Sequence, residues 1–304
     1  MDKVRVPHRA IRANLSQKEQ SPLKFSSIIT AATLVVGTLL SVAVGAPANA
    51  APNGNIVTLG DSYTANPDQV LSTVRDLPIP PVTNYPKTGG CLQAPNNWPR
   101  KLGAKIGAKV ADWSCTAQTS QTMLSRLSSA IAVGDLHSGT HAVVIAVGIN
   151  DYGPFGVNQG FQPWDRGKMR ADYVRNLSAA AKKIRANAPN AKIVVSGMLA
   201  VSHPSAPNMF CPVNVIPNAP GGFPLPALQA VEADNEANQR AAARTIGATF
   251  VPLRLPSAPH STCAPDRQRF VSGAIDTTTP NYTMSLHPSN AGSEFAASRI
   301  AAVL

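Results

Sequence analysis

Residues 56–63 read IVTLGDSY, an apolar and β-branched run that passes directly into Gly60, Asp61 and Ser62. Such a run predicts a buried strand that ends in a tight turn. Because open α/β sheets bind ligands outside the carboxyl ends of their strands, Ser62 lies where a nucleophile would be useful. An ordinary strand followed by an Asx or Ser turn is the alternative, and residues 56–63 alone do not exclude it.

Two further polar motifs accompany this stretch. Residues 148–151 read GIND and come directly after the apolar run 141–147. His287 lies in residues 286–292, which read LHPSNAG. For GIND alone, an Asx turn at the start of a loop is an equally good interpretation. In this order, over residues 55–304, the three motifs resemble those of the SGNH (GDSL) hydrolase family of esterases and lipases.

The resemblance implies an α/β fold, a three-layer α/β/α sandwich around a parallel, five-stranded, flavodoxin-like sheet. It implies Ser62 as the nucleophile and His287 as the base that removes its proton. It also implies three oxyanion donors, which are the backbone N–H groups of Ser62 and Ala117 and the side-chain amide of Asn150. We assign Asp61 to organising the turn rather than to the chemistry.

The sequence departs from the family pattern at two places. Residues 114–119, SCTAQT, best match the second motif, but Ala117 stands where the family has glycine. The amide of Ala117 can still donate if its φ is negative. Met284 replaces the acid that normally lies three residues before the histidine. A backbone carbonyl can accept the same N–H bond, so we predict that the Met284 carbonyl orients His287, with Asp276 as the alternative acid.

Alternating apolar runs and helical periodicity predict strands that alternate with helices in a parallel sheet. The predicted strands are residues 56–59, 109–113, 141–147, 191–196 and 248–252. The predicted helices are residues 98–105, 119–133, 167–188 and 227–246, and a last helix from Ser289 to Ile300. Three turn-rich excursions, residues 64–99, 203–226 and 256–286, are expected to form a substrate rim at one edge of the sheet.

The amino-terminal 50 residues have the pattern of an export signal. A basic segment precedes the apolar stretch 28–46, and residues 48–50 form an A-x-A site, so we predict cleavage after Ala50. A membrane anchor is the alternative, because the apolar stretch is nearly long enough to span a bilayer. We therefore predict a signal peptide at residues 1–50 and one secreted hydrolase domain at residues 51–304.

The charge of the chain limits its partners. Residues 1–50 carry six Lys/Arg and two Asp/Glu, so their removal lowers the formal net charge from +11 to +7. A basic secreted protein is attracted to an anionic cell envelope, and peripheral contact with it is expected. The charges are scattered and form no aromatic-basic stripe, which argues against nucleic-acid binding. We predict a monomer that acts on a small-molecule or lipid ester.

Four cysteines lie in the predicted mature chain, and no Cys or His spacing indicates a metal. No metal and no cofactor are therefore predicted. In an exported chain an even number of cysteines indicates disulfides, with free buried thiols as the alternative. We pair Cys91 with Cys115 and Cys211 with Cys263, because each bond then closes a loop near the functional edge of the sheet. Similar loop disulfides occur in secreted actinobacterial members of the family.

The predicted function is a secreted serine esterase or lipase that hydrolyses carboxylic esters through an acyl-enzyme on Ser62. Acyl transfer to a sugar or glycolipid hydroxyl of the cell envelope would use the same residues and remains an alternative. A second alternative is a non-catalytic lipid- or envelope-binding protein. In that case, the changes at Met284 and Ala117 would have removed the reaction.

Overall fold

The computed structural model describes residues 54–205 and 207–304, so the predicted signal peptide lies outside the described residues. The strands are β1 (Ile56–Gly60), β2 (Lys87–Thr88), β3 (Cys91–Leu92), β4 (Val110–Asp112), β5 (Ala142–Ala146), β6 (Lys192–Ser196), β7 (Met209–Asn214), β8 (Gly221–Pro224), β9 (Thr249–Val251) and β10 (Ile275–Asp276). The α-helices are α1 (Ser62–Ala65), α2 (Gln69–Thr73), α3 (Pro80–Thr83), α4 (Trp98–Ile106), α5 (Met123–Ala132), α6 (Pro154–Val157), α7 (Arg166–Asn187), α8 (Pro226–Thr245), α9 (Arg254–Ser257) and α10 (Asn290–Ala301).

Five parallel strands form the central sheet in the order β4-β1-β5-β6-β9. The side chains of β1 alternate between two apolar cores: Val57 and Leu59 pack on one face of the sheet and Ile56 on the other. Helices α5, α7 and α8 cover the first face, and α4 and α10 cover the second. The predicted three-layer α/β/α fold and its five-stranded parallel sheet are therefore confirmed.

Local side-chain bonds fix where the helices that flank the sheet begin. The Asn97 side chain accepts a hydrogen bond from the amide of Arg100 at 3.2 Å. Asn97 thereby caps α4, which begins at the next residue, Trp98. Ser289 caps α10 as the sequence predicts, because its Oγ accepts the amide of Gly292 at 3.2 Å. Each cap satisfies an amide that has no partner within its helix.

The three excursions contain structure that the sequence did not predict. Strands β7 and β8 form a hairpin, and β10 joins β7 to make a separate three-stranded sheet. Strands β2 and β3 form a two-stranded hairpin within the first excursion. Helix α5 also begins four residues later than predicted, because Thr119 and Thr122 exchange side-chain to amide hydrogen bonds of 3.0 and 3.1 Å in a turn.

Both predicted disulfides, Cys91–Cys115 and Cys211–Cys263, are present. The first ties the β2–β3 hairpin to the loop that follows β4, and the second joins the second excursion to the third. Among residues 54–205 and 207–304, no helix combines the length and the hydropathy needed to cross a membrane. The same residues hold no group of His, Cys, Asp and Glu side chains that could bind a metal ion.

Candidate active site

Ser62 is the first residue of α1, directly after β1 and a single linking residue, Asp61. The Asp61 carboxylate caps the helix by accepting the amide of Tyr63 at 2.9 Å, and its own amide bonds to Ala146 of β5 at 3.3 Å. A Cβ at Gly60 would lie only 2.2 Å from Thr64 Oγ1, so the turn requires a glycine there. Asp61 thus organises the turn, as predicted, and fixes Ser62 at the carboxyl edge of the sheet.

Asp61 is buried beneath this turn. Burial raises the pKa of its carboxyl group to about 7, although the hydrogen bond from the Tyr63 amide acts in the opposite direction. The Asp61 carboxyl group accepts its hydrogen bond from the Tyr63 amide, within the turn itself. It therefore supports the position of Ser62 without reaching the His287 ring.

The three predicted oxyanion donors come together at one cleft. Ser62, Ala117 and Asn150 all line it, together with Met284, and its volume is about 680 Å³. The backbone amides of Ser62 and Ala117 donate no hydrogen bond to any other described residue. Two unpaired backbone amides and a side-chain amide are the kind of donors that bind an oxygen on which negative charge develops, and all three belong to residues that line this cleft.

Asn150 is held in place by the loop that carries Ala117. Its Nδ2 donates to the carbonyl of Gln118 at 3.0 Å, which leaves the second amide hydrogen for a ligand. The buried Asp151 accepts both the amide and the hydroxyl of Ser120, at 2.8 and 2.6 Å. Burial raises the pKa of Asp151 to about 6, against these two hydrogen bonds. The GIND motif is therefore bonded to Gln118 of the SCTAQT motif and to Ser120, the residue that follows this motif.

Gly148 is required by its conformation and by its neighbours. Its φ is +138°, and a Cβ would lie 2.4 Å from Asn235 Oδ1. Only glycine adopts this backbone region readily. The turn after β5 therefore depends on a glycine to present Asn150 at the cleft.

Ala117 adopts a conformation that the sequence analysis did not anticipate. Its φ is +64°, whereas the condition stated for a donating alanine was a negative φ. The structure therefore does not meet that condition, although Ala117 lines the cleft and its amide has no hydrogen-bond partner among the described residues. A residue with a Cβ is strained there by about 1–2 kcal/mol, which explains why glycine would suit this position.

His287 is oriented by a carbonyl, but the carbonyl is that of Ser285 and not the predicted Met284. The ring Nδ1 lies 2.8 Å from the Ser285 oxygen. The Met284 oxygen instead accepts the His287 backbone amide at 3.3 Å and the Ser272 hydroxyl at 3.1 Å. The reason is the turn at Leu286, whose φ of +62° directs the Ser285 carbonyl toward the ring.

This contact determines the protonation of the His287 ring. Because a carbonyl can only accept, Nδ1 carries the proton and Nε2 keeps its lone pair. Nε2 is buried and has no hydrogen-bond partner among the described residues. Burial lowers the pKa of His287 to about 4, although the Ser285 hydrogen bond acts to raise it. At neutral pH the ring is therefore an uncharged base with a free lone pair.

No described carboxylate forms a hydrogen bond with the His287 ring. Asp276, the alternative acid, accepts the amides of Gly273 and Thr279 at 2.7 and 2.8 Å and lies 3.6 Å from the guanidinium of Arg269. Burial raises the pKa of Asp276, but the hydrogen bonds from Thr279 and the backbone amides outweigh it and the pKa is lowered. Asp276 therefore stays ionised and holds the third excursion together.

The sequence analysis missed two residues at this site, Ser285 and Tyr63. Ser285 contributes only a backbone carbonyl, which no residue type signals. Tyr63 lies directly after the predicted nucleophile, and its ring centroid is 4.8 Å from that of His287. Its place next to Ser62 is the one sequence feature that could have drawn attention to it.

Two solved structures share this fold. A phospholipase A1 from Streptomyces albidoflavus aligns with a TM-score of 0.53 at 17% identity and covers 83% of this chain and 98% of its own. An extracellular lipase from Streptomyces rimosus aligns with a TM-score of 0.52 at 19% identity and covers 82% of this chain and 98% of its own. At such identities the likeness supports the fold alone.

The sequence itself matches a known family and a known relative. Lipase 2 of Streptomyces coelicolor is 30% identical over 272 residues, which cover 80% of this chain and 86% of that protein. The model of the GDSL-like Lipase/Acylhydrolase family matches residues 58–295, a span that includes Ser62, Ala117, Asn150 and His287. The chain therefore belongs to the GDSL-like lipase/acylhydrolase family.

Proposed function

We propose that this protein is a secreted serine esterase or lipase that hydrolyses carboxylic esters through an acyl-enzyme on Ser62. The observation that carries the proposal is one cleft lined by Ser62, Ala117 and Asn150, in which the backbone amides of Ser62 and Ala117 have no partner among the described residues. The His287 loop packs against the helix of Ser62, and the ring keeps a free lone pair on Nε2. The similarity to Lipase 2 of Streptomyces coelicolor supports the same class of reaction.

The proposed reaction has two halves. Nε2 of His287 takes the proton of the Ser62 hydroxyl while Oγ bonds to the ester carbonyl carbon, and the three donors bind the oxyanion. The carbon–oxygen bond to the alcohol then breaks, and the alcohol leaves with the proton from His287. Water repeats these steps on the acyl-enzyme, which releases the carboxylic acid and restores Ser62.

The side chains that line the cleft favour an ester substrate that has an apolar acyl chain. Leu92, Phe155 and Met284 contribute apolar surface beside Ser62, and Phe155 is 49% exposed. Arg75 also lines the cleft. A volume of about 680 Å³ lies within the range typical of sites for small molecules. An acyl chain could therefore lie against the apolar side chains while the ester faces Ser62.

We also propose export, with residues 1–50 as the signal peptide. The two disulfides support it, because disulfides form and persist mainly in oxidising compartments outside the cytosol. Amino-terminal sequencing of the secreted protein tests this proposal. A first residue of Ala51 is expected, whereas an intact amino terminus retained in the membrane would contradict it.

A substrate panel tests the enzymatic proposal. The full chain is expressed with its export signal, and the purified protein is assayed on esters from acetate to palmitate, on phospholipids and on triglycerides. Released acids are measured with and without an alcohol acceptor, because acyl transfer would yield a new ester. Covalent labelling by a fluorophosphonate probe identifies a reactive serine. A folded protein that neither labels nor hydrolyses any ester would contradict the proposal.

The acids near the carboxyl terminus provide a first prediction. Asp276→Asn, Asp266→Asn and Glu294→Gln should each retain kcat within about tenfold of wild type, because a carbonyl orients His287. Neutralising an orienting triad acid costs about 10⁴-fold. The rates are measured below the unfolding temperature of each variant, since Asp276 also stabilises its loop. A folded Asp276→Asn protein that loses about three orders of magnitude in kcat would show that a carboxylate is needed.

Ala117 provides a second prediction. Ala117→Gly should raise the free energy of unfolding by about 0.5–1 kcal/mol, because relief of the left-handed strain exceeds the added flexibility of the unfolded chain. We expect kcat/KM to be maintained, because the donor is a backbone amide. Urea unfolding and ester kinetics provide the measurements. Ala104→Gly, at an exposed position inside α4, is the matched control and should lower stability by about 1 kcal/mol.

A further inference from the structure

Tyr63 links the helix of the proposed nucleophile to the loop of the proposed base. Its hydroxyl donates to the carbonyl of Leu286 at 2.6 Å. Its ring lies against the His287 ring with the centroids 4.8 Å apart and the planes at 37°. Burial raises the pKa of Tyr63 well above its usual range, so the hydroxyl keeps its proton and remains a donor. One side chain therefore touches both the His287 ring and the backbone beside it.

The backbone that Tyr63 contacts is strained. Leu286 has a φ of +62°, a conformation that costs a residue with a Cβ about 1–2 kcal/mol. Leu286 is the residue between Ser285, whose carbonyl accepts a hydrogen bond from Nδ1, and His287 itself. A relaxation of Leu286 would turn the Ser285 carbonyl away from the ring. The hydrogen bond from Tyr63 opposes that relaxation by holding the Leu286 carbonyl.

Further bonds join the same two segments. Asn66 follows α1, and its Nδ2 donates to the carbonyl of Pro288 at 2.9 Å. The Thr283 hydroxyl donates to the carbonyl of Asn66 at 2.8 Å, and Gln69 Oε1 accepts the amide of Ser285 at 3.0 Å. Contacts on both sides of His287 thus come from the segment that begins at Ser62. These bonds therefore fix the position of the His287 loop relative to the segment that begins at Ser62.

An orienting acid normally fixes the tautomer and the position of the catalytic histidine. The Ser285 carbonyl selects the tautomer, but a single carbonyl on a strained turn gives little resistance to movement of the ring. We propose that Tyr63 is a positioning residue. It lies in α1, the helix that begins with Ser62, and it holds the His287 ring in the orientation that the reaction requires. It replaces the orienting role of the missing acid. This inference rests on the proposed esterase function, because it assigns the support of its base.

Two substitutions separate the contacts of Tyr63. Tyr63→Phe removes only the hydroxyl and should lower kcat about tenfold, the equivalent of one lost hydrogen bond. Tyr63→Leu removes the ring as well and should lower kcat about 10²-fold, because small misplacements of catalytic groups cost that much. KM should stay within about twofold in both, since Tyr63 does not line the cleft.

Tyr282→Phe is the matched control for a purely structural effect. The Tyr282 hydroxyl donates to the carbonyl of Asp276 in the same excursion, so its loss removes a bond of the same type away from the ring. Tyr282→Phe should lower the unfolding temperature as Tyr63→Phe does, but leave kcat within about twofold of wild type. Equal kcat values for Tyr63→Phe, Tyr63→Leu and Tyr282→Phe, below all unfolding transitions, would overturn the proposal.

A spectroscopic readout keeps this test independent of ester hydrolysis. The ring signals of His287 are followed by NMR as the pH is lowered. In the wild type they should titrate near the lowered pKa of about 4. In Tyr63→Leu the pKa should move toward its ordinary value, because the ring loses its apolar cover and gains water. An unchanged titration in Tyr63→Leu contradicts the positioning role even if the wild type proves inactive.

Discussion

Replacement of Ser62 by alanine is expected to abolish ester hydrolysis and covalent labelling by a fluorophosphonate. Removal of the nucleophile from a catalytic serine–histidine unit costs about 10⁶-fold in kcat. The fold should be unaffected, because Ser62 donates no side-chain hydrogen bond within the described residues and alanine suits the first turn of α1. Initial rates on a chromogenic ester and labelling in a gel provide the measurements.

The control for this variant is Ser125→Ala. Ser125 lies in the first turn of α5, is exposed, and bonds only to the carbonyl of Thr122. Its loss should leave both hydrolysis and labelling at the wild-type level. A Ser62→Ala protein that retains even a tenth of the wild-type rate would rule out Ser62 as the nucleophile. Labelling that persists in that variant would place the reactive serine elsewhere in the chain.

The central sheet was predictable because its strands are buried on both faces. Burial of this kind requires continuous apolar runs such as residues 56–59 and 141–147, which a sequence displays directly. The long helix α7 was predictable for a similar reason, since it buries one periodic face that includes Tyr173, Leu177 and Ile184. Helix α8 was predicted from its content of Ala, Glu, Asn and Arg instead, and its buried face is largely polar. The small sheet of β7, β8 and β10 was not predictable. Its strands are short, two of them contain a proline, and β10 pairs with β7 across about 60 residues of the chain.

The candidate side chains of the site could be named from the sequence, but its backbone conformations could not. Ser62, Asn150 and His287 are residue types whose chemistry is visible in the sequence. The conformations of Ala117 and Leu286, by contrast, are left-handed although neither residue type favours them. The identity of the orienting carbonyl depends on the second of these. The prediction therefore named a carbonyl correctly but placed it one residue too early, at Met284 instead of Ser285.

No carboxylate among the described residues bonds to the His287 ring, and this has an electrostatic consequence for the proposed reaction. In the proposed reaction the His287 ring takes the proton of Ser62, and the positive charge would then form where burial disfavours it. The Ser285 carbonyl stabilises that charge only as a dipole. In the same proposed step an oxyanion of opposite charge would form in the cleft. We therefore expect the donors from Ala117 and Asn150 to matter more here than in an enzyme with a full triad.

Acid should inactivate the enzyme only well below the usual titration of histidine. Nε2 must be unprotonated to act as a base, so kcat/KM should rise as the pH rises through about 4 and then level off. The same shift lowers stability in acid. Between the folded pKa and the unfolded value of about 6.5, the unfolded chain binds more protons, so the free energy of unfolding falls as the pH falls.

Replacement of His287 by asparagine is expected to lower kcat about 10⁶-fold, as much as the loss of Ser62, because neither group acts without the other. The asparagine amide can still donate to the Ser285 carbonyl, so the turn should keep its structure while the base is lost. The double variant with Ser62→Ala should be no slower than either single variant, since the two residues form one catalytic unit. Rates, fluorophosphonate labelling and unfolding temperatures are compared for all three. A folded His287→Asn protein that still labels at the wild-type rate would show that another group activates Ser62, and Ser62 and His287 would then not be a catalytic pair.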